Sequence, residues 1–334
     1  MSAPRAGGAS AAGRRVVVTG SQGFVGHHLR AALALRGVEV IGVGRPASGA
    51  EVEVDLARRD LDVGALVRAI GPVDGVIDMA ATISRGSSVD AAARDNLHVI
   101  ATRAVAWMEA THALSPGAHF TFCSSLKMYG PAEGPIDPQR PPQEPDPWSY
   151  GCAKALAERL LDVAAARCGA SWCTVRPTYV YGPGQHLHNA IPMFLARAWA
   201  GEAPVVFGHG NEVRDDVYVP DLAYTLAEAC LRRVTGAFHG GSGVGMSLLE
   251  VARACCDAVA DLGGPRVTPR ADPSRPAKWW LDRTFDIARS RDLLDLRPTP
   301  MAEALRREAL WVQAGGRMED AVAAAPPIAP GGPS

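Results

Sequence analysis

The stretch Thr19-Gly20-Ser21-Gln22-Gly23-Phe24-Val25-Gly26 constrains this chain more than any other. It follows an apolar run, Arg15-Val16-Val17-Val18-Thr19, that reads as a buried parallel strand. Helical periodicity over 24–36 comes next. In that setting each glycine answers a steric need. Gly20 permits a tight turn, Gly23 lets backbone approach a pyrophosphate, and Gly26 lets the helix pack on the strand. The helix N-terminus offers unpaired N–H groups to the anion. Gln22, Phe24 and Val25 share the loop and join the three glycines as candidate cofactor contacts. The spacing is Gly-x-x-Gly-x-x-Gly, not the Gly-x-Gly-x-x-Gly of many dehydrogenases. With 35 glycines in the chain, chance matches occur, so the position after the first strand carries the weight.

The first half alternates strand and helix. Strands are expected at Val38–Val43, Val73–Met79, Phe120–Cys123 and Ser171–Val175, with helices over 60–70, 89–113 and 150–168. Such alternation means a parallel sheet with helices on both faces. Beyond residue 177 the elements shorten and Gly and Pro become frequent. Helices are expected there over 190–200, 221–233 and 247–261, and strands at Val205–Phe207 and Ala237–Phe238. An Arg- and Pro-rich stretch, 265–278, leads into Trp279-Trp280-Leu281.

The second strand ends Val43-Gly44-Arg45-Pro46. A carboxylate there would bind a ribose 2′-hydroxyl; its absence, with Arg45 able to pair with a 2′-phosphate, leans from NAD towards NADP. Asp55 and Leu56 follow a short strand and are candidate adenine contacts. Ala80, Ala81 and Pro177 are the remaining candidate cofactor contacts.

Tyr150-Gly151-Cys152-Ala153-Lys154 opens a helix, and positions i and i+4 share a face. An ammonium beside a phenol lowers the phenol's pKa, and an oxidised nicotinamide adds further positive charge. Tyr150 is then expected to serve as a general base and acid near neutral pH. Ser124-Ser125 directly follows a strand, and a hydroxyl there faces the ligand crevice.

With these motifs in place, the chain resembles the extended short-chain dehydrogenase/reductases, the NAD-dependent epimerase/dehydratase family acting on nucleotide sugars. Two further segments carry the resemblance: Arg176-Pro177-Thr178-Tyr179-Val180-Tyr181-Gly182-Pro183-Gly184, and Arg214-Asp215-Asp216-Val217-Tyr218-Val219-Pro220-Asp221-Leu222-Ala223. It runs from about residue 15 to 315. It implies an α/β fold: a Rossmann-like doubly wound parallel sheet with a smaller C-terminal α/β substrate lobe. It further implies Ser125 as the hydroxyl that polarises the sugar oxygen, Tyr150 as acid/base, and Lys154 on the nicotinamide ribose. Asn189 and Arg214 match positions that contact the substrate diphosphate, Tyr179 stands near the sugar, and Arg275 is a further candidate substrate contact. The family usually dimerises through the helices expected over 89–113 and 150–168.

Departures from the pattern narrow the reaction. In sugar 4,6-dehydratases an Asp-Glu pair follows the catalytic hydroxyl residue; here Leu126-Lys127 stands there. Leucine transfers no proton and lysine reverses the charge, so dehydration by that route is disfavoured. Asp78 replaces a frequent His, and Tyr179 a frequent Asn. The leading expectation is a 4-epimerase that oxidises C4 transiently and holds its cofactor tightly. The alternative is a nucleotide-4-keto-sugar reductase drawing on NADPH. A non-catalytic cofactor-sensing binder is the third reading, although such proteins typically lose the Tyr/Lys pair.

Composition excludes other classes. With 34 Lys+Arg against 35 Asp+Glu the net charge is −1, which gives no bulk attraction to nucleic acid. No apolar run reaches the ~18 residues of a membrane span. Seven scattered Cys without a Cys-x-x-Cys fit reduced thiols in the cytoplasm. His186 and His188 lack the carboxylate or Cys pair of a zinc site, so no metal is expected. The expected division is a disordered tail over 1–14, a cofactor domain over 15–176, a mainly substrate-binding lobe over 177–320 with segments returning to the first domain, and a second disordered tail over 321–334.

Overall fold

A computed structural model describes residues 11–81, 95–131, 134–143, 149–275 and 283–329. In chain order the strands are β1 (Arg15–Thr19), β2 (Glu39–Gly44), β3 (Val52–Glu53), β4 (Gly75–Asp78) and β5 (His119–Cys123). They continue with β6 (Gly134–Ile136), β7 (Ser171–Pro177), β8 (Tyr179–Tyr181), β9 (Val205–Phe207) and β10 (Val213–Tyr218). Then come β11 (Gly236–Gly240), β12 (Gly245–Ser247), β13 (Arg270–Asp272) and β14 (Arg283–Phe285). The helices are α1 (Phe24–Ala34), α2 (Val63–Ile70), α3 (Arg103–Leu114), α4 (Tyr150–Cys168) and α5 (Ala190–Trp199). They are followed by α6 (Val219–Leu231), α7 (Leu248–Asp261), α8 (Ala288–Leu294), α9 (Met301–Gln313) and α10 (Ala321–Ala324).

Seven strands form a parallel sheet in the order β11-β7-β5-β4-β1-β2-β3. This is the doubly wound, Rossmann-like arrangement, with the order reversing at β1. Alternating side chains of β1 enter opposite layers. Val17 joins a core with Trp107 and Leu161, from the α3 and α4 side. Val16 and Val18 join a core with Leu29 and Leu222, from the α1 and α6 side. Burial on both faces is why this strand reads as an unbroken apolar run. A third core joins α5, α7 and α9 through Phe194, Leu195, Val251 and Leu305, and builds the smaller lobe.

Local chemistry sets the ends of the elements. Asp62 accepts the Ala65 N–H at 2.9 Å and starts α2 at Val63, three residues past the expected boundary. Ser149 accepts the Cys152 N–H at 3.0 Å and starts α4 at Tyr150. Gly169, with φ +82°, ends it. The helix expected over 89–113 departs from regularity: Leu97–Thr102 forms a π-helical turn before α3, and 89–94 lie outside the described residues. Lys278 and Trp279-Trp280-Leu281 also lie outside them.

The chain ends are more structured than expected. Arg14 donates to the Leu231 carbonyl at 2.7 Å, whereas residues 1–10 lie outside the described part. At the other end, residues 321–324 form α10 in place of a tail. Ala321 and Ala325 are fully buried there, because α10 packs over α1 and the 182–184 turn.

Two predictions follow from this packing. A Cβ at Gly26 would fall against the carbonyls of Gly20 and Ser21. Gly26→Ala must therefore push α1 away from β1, and should lower both Tm and nicotinamide-dinucleotide affinity; wild-type values of both would contradict this. Glu308, on α9, is fully buried, and burial pushes its carboxyl up to about 8, opposed by the Gly182 N–H and reinforced by Asp216. A carboxyl raised on folding binds its proton more tightly in the folded chain, so its contribution to stability falls as pH rises from its ordinary 4.5 towards about 8. Glu308→Gln should raise Tm at about pH 9 and leave it nearly unchanged near about pH 4. Thermal melts across that range would show an equal effect at both ends if the account is wrong.

Candidate active site

A cavity of about 1000 Å³ opens at the carboxyl ends of the central strands. Open α/β sheets bind ligands at such a switch point. Its wall holds Gly20, Gln22, Gly23, Phe24, Val25 and Gly26 from the turn into α1. Arg45 follows β2, Asp55 and Leu56 follow β3, and Ala80 and Ala81 follow β4. Ser125, Tyr150 and Pro177 complete the set of sequence-derived residues in that wall.

The turn is built for close approach. Gly20 has φ +69° and lies 3.4 Å, from the position of a Cβ, to the Met79 carbonyl. Its oxygen accepts the Gly23 N–H at 3.0 Å. Thr19 and Asp78 lock the neighbouring strand ends. The Thr19 hydroxyl donates to the Asp78 carboxyl and accepts the Met79 and Ala80 N–H groups, each at 3.1 Å. Asp78 is buried, and that burial pushes its carboxyl up, against the opposing Thr19 hydrogen bond and Lys154 charge. The cradle fits a dinucleotide phosphate: glycines where a side chain would intrude, and the free N–H groups of α1 behind them.

Ser125 caps the 3₁₀ turn Leu126–Tyr129, its hydroxyl accepting the Lys127 N–H at 3.2 Å. Lys154 lies behind the wall, 1% exposed, and donates to the Cys123 carbonyl at 2.6 Å. Its ammonium stands 5.7 Å from the Tyr150 ring centre and 4.5 Å from that of Phe122. The i, i+4 spacing thus puts both side chains on one face. The expected lowering of the Tyr150 pKa is overturned for the protein alone. Burial raises it, and this outweighs the opposing charge and hydrogen bond of Lys154. Burial is a tertiary property that the spacing could not reveal.

Around Arg45 the two glutamates face elsewhere. Arg30 clasps Glu51 at 2.6 and 2.5 Å, holding its carboxyl down at about 2. Glu53 accepts the Ala47 and Gly49 N–H groups at 2.9 and 2.8 Å. Neither glutamate is in the cavity wall, whereas Ser48 is, with its buried hydroxyl lacking a partner among the described residues.

Four candidate substrate residues lie outside this wall. Asn189 occupies the N-cap position of α5 without a side-chain cap bond. Arg214 pairs with Asp216, Nε to Oδ2 at 2.8 Å, and its guanidinium covers the Tyr179 ring at 4.6 Å. Arg275 is exposed, 3.7 Å from Asp272 and 4.8 Å over the Phe207 ring. The wall also includes Ser48, Val99, Cys123 and Thr178, which the motifs did not single out. A hydroxyl three residues past Arg45 was a readable signal for Ser48; the other three depend on tertiary packing. Arg103 was missed as well: it donates to the carbonyls of Leu56 at 3.2 Å and Leu61 at 2.9 Å, and to that of Arg58. It thereby holds the loop that carries Asp55 and Leu56. Among the described residues no cluster of His, Cys, Asp or Glu could hold a metal, and no helix is long and apolar enough to cross a membrane.

Comparison with known proteins agrees with this architecture. The model of the NAD dependent epimerase/dehydratase family matches residues 16–237. A dTDP-4-dehydro-6-deoxy-D-allose reductase of Streptomyces bikiniensis is 30% identical, over 90% of this chain and 96% of its own. A UDP-glucose 4-epimerase of Mycolicibacterium smegmatis is 27% identical, over 88% and 96%. The solved structure of MoeE5 in complex with UDP-glucose and NAD superimposes with a TM-score of 0.73 at 27% identity, covering 90% of this chain and 99% of that one. The chain is an enzyme of the extended short-chain dehydrogenase/reductase type and belongs to the NAD dependent epimerase/dehydratase family.

Proposed function

We propose that the chain moves a hydride at C4 of a nucleotide-linked sugar, with Tyr150 as the acid and base. One observation carries this reading: Ser125 and Tyr150 line the same cavity as the glycine turn, with Lys154 buried directly behind. When bound, the nicotinamide accepts hydride from a C4 alcohol or returns it to a C4 ketone. Ser125 holds the reacting oxygen. Tyr150 takes the hydroxyl proton on oxidation and gives it back on reduction. Lys154 opposes the cost of burying the phenolate and binds the nicotinamide ribose. Asn189 and Arg214 take the diphosphate, an Arg fork being suited to its oxygens. Tyr179 faces the sugar and Arg275 is a further substrate contact. In the epimerase both half-reactions run in one pocket, and the ketone turns between them.

A second reading, one-way reduction of a nucleotide-4-keto sugar with NADPH, is favoured by two observations. Arg45 and Ser48 stand in the cavity wall while Glu51 and Glu53 are tied elsewhere, an arrangement suited to a 2′-phosphate. The Streptomyces relative, matched over nearly its whole length, is a 4-keto-sugar reductase by name. Leu126 and Lys127 beside Ser125 support neither acid nor base for water elimination in either case.

The enzyme pairs with a second copy through α3 and α4. Leu156, Leu160 and Val163 support this, being 42%, 39% and 57% exposed at i, i+4 and i+7 on α4. Its place of action is the cytoplasm, in keeping with seven free cysteines.

Small molecules released on denaturing the purified protein decide between the two reactions. Stoichiometric NAD supports the epimerase; an empty site with tighter NADPH than NADH binding supports the reductase. On the reductase reading, Arg45→Ala should weaken NADPH about tenfold or more and NADH little, the worth of a charge-assisted hydrogen bond. Tyr150→Phe should lower turnover by about 10²–10⁴-fold, and unchanged turnover would remove the acid/base role. Leu160→Asp should halve the mass in solution by light scattering; an unchanged mass would count against the α3–α4 pairing.

A further inference from the structure

Glu158, Arg176, Tyr129 and His239 form one hydrogen-bonded chain beside the site, and all four are buried. Arg176 donates to both carboxylate oxygens of Glu158, at 3.1 and 2.6 Å. Its Nη1 donates to the Tyr129 hydroxyl at 2.7 Å and to the Pro138 carbonyl at 2.5 Å. The Tyr129 hydroxyl lies 2.6 Å from His239 Nε2, and His239 Nδ1 lies 2.9 Å from the Asp286 carbonyl.

Chemistry fixes the direction of every proton in this chain. A guanidinium only donates, so the Tyr129 oxygen accepts from Arg176 and gives its own hydrogen to His239 Nε2. A carbonyl only accepts, so His239 Nδ1 carries the hydrogen that faces Asp286. His239 is therefore the neutral Nδ1–H tautomer. Burial agrees, pushing its pKa down to about 4.

The chain connects the parts that must meet. Glu158 is on α4, one turn past Lys154 and two past Tyr150. Tyr129 closes the 3₁₀ turn that Ser125 caps. Arg176 is on β7, and His239 pairs with it in register from β11. The buried face of α4 is mostly small: Gly151, Ala153, Ala157, Ala164 and Ala165, with Leu161. Small side chains allow close packing but index a helix poorly along its axis. Lys154 on the Cys123 carbonyl is one polar anchor, and the Glu158–Arg176 fork is a second, one turn on. Replacing a buried ion pair by apolar groups is often neutral for stability, so the fork need not be present for stability alone.

We infer that the Arg176–Tyr129–His239 relay is a positioning device that sets the register of α4 against the Ser125 turn, and with it the gap between Tyr150 and Ser125. The inference rests on the roles of those two residues proposed above. Arg176, Tyr129 and His239 act through them and touch no substrate.

The test uses the full chain with NADPH and, as probe, a dTDP-4-keto-6-deoxyhexose, run in both Tyr129→Phe and His239→Leu. Tyr129→Phe removes only a hydroxyl, and His239→Leu removes the acceptor. His239→Gln keeps an oxygen that can accept from Tyr129. Tyr129→Phe and His239→Leu should retain the wild-type circular dichroism and NADPH affinity. Their kcat should fall about ten- to a hundredfold at nearly constant KM, the scale of a small misplacement of reacting groups. His239→Gln should recover most of the loss. Crystal structures of wild type and Tyr129→Phe should differ in the Ser125 Oγ to Tyr150 Oη separation. The inference is overturned if Tyr129→Phe turns over like wild type while Tyr150→Phe is inactive, or if His239→Gln and His239→Leu lose equally. A fully active Tyr150→Phe would instead overturn the reading of the site beneath it.

Discussion

The approach of α1 to the end of β1 is the constraint on which the rest of the structure depends. It is possible only because Gly26 has no side chain to meet the carbonyls of Gly20 and Ser21. That contact aims the free N–H groups of α1 into the crevice at the reversal of sheet order, beyond the ends of β1 and β4. Thr19 and Asp78 then tie the end of β1 to the end of β4. The smaller lobe is held to the same helix. His28 of α1 hydrogen-bonds the Pro183 carbonyl at 2.8 Å, and α10 packs over both.

Burial shapes the chemistry as much as charge does. Tyr150 sits where burial makes its ionised form costly. Lys154 is anchored by a carbonyl, not by a carboxylate, so its charge stays available to the phenol. In the protein alone burial outweighs that charge at Tyr150. In the proposed mechanism a bound oxidised nicotinamide would supply the further positive charge that a phenolate needs, and would couple the proposed acid/base role of Tyr150 to cofactor occupancy.

Much of this was legible in the sequence wherever the determinant is local. The glycine turn, the helix start at Tyr150 and the Tyr-x-x-x-Lys face all follow from near neighbours. The doubly wound sheet follows from strands and helices that alternate. What escaped depends on residues far apart in the chain. Arg103 reaches back more than forty positions to hold the loop of Asp55 and Leu56. Ala321 and Ala325 are buried by a helix some three hundred residues earlier in the chain, so their small, Pro-flanked segment read as a tail. The raised pKa of Tyr150 and the π-helical turn at Leu97–Thr102 likewise have no mark in the spacing. Arg214 shows the intermediate case: Asp215 and Asp216 follow it directly in the sequence, but its pairing with Asp216, and the Tyr179 ring beneath it, are set by the fold.

The central claim is hydride transfer between nicotinamide C4 and sugar C4. It is tested most directly with deuterium. The enzyme is loaded with NADH or NADPH, whichever it binds, carrying deuterium at C4 of the nicotinamide, a nucleotide-4-keto sugar is added, and the sugar product is read by NMR. The account predicts deuterium on C4 of the sugar, in one configuration for the reductase and in both for the epimerase, and its disappearance from the product in Tyr150→Phe. Product formed without label, or with label at any other carbon, would contradict it.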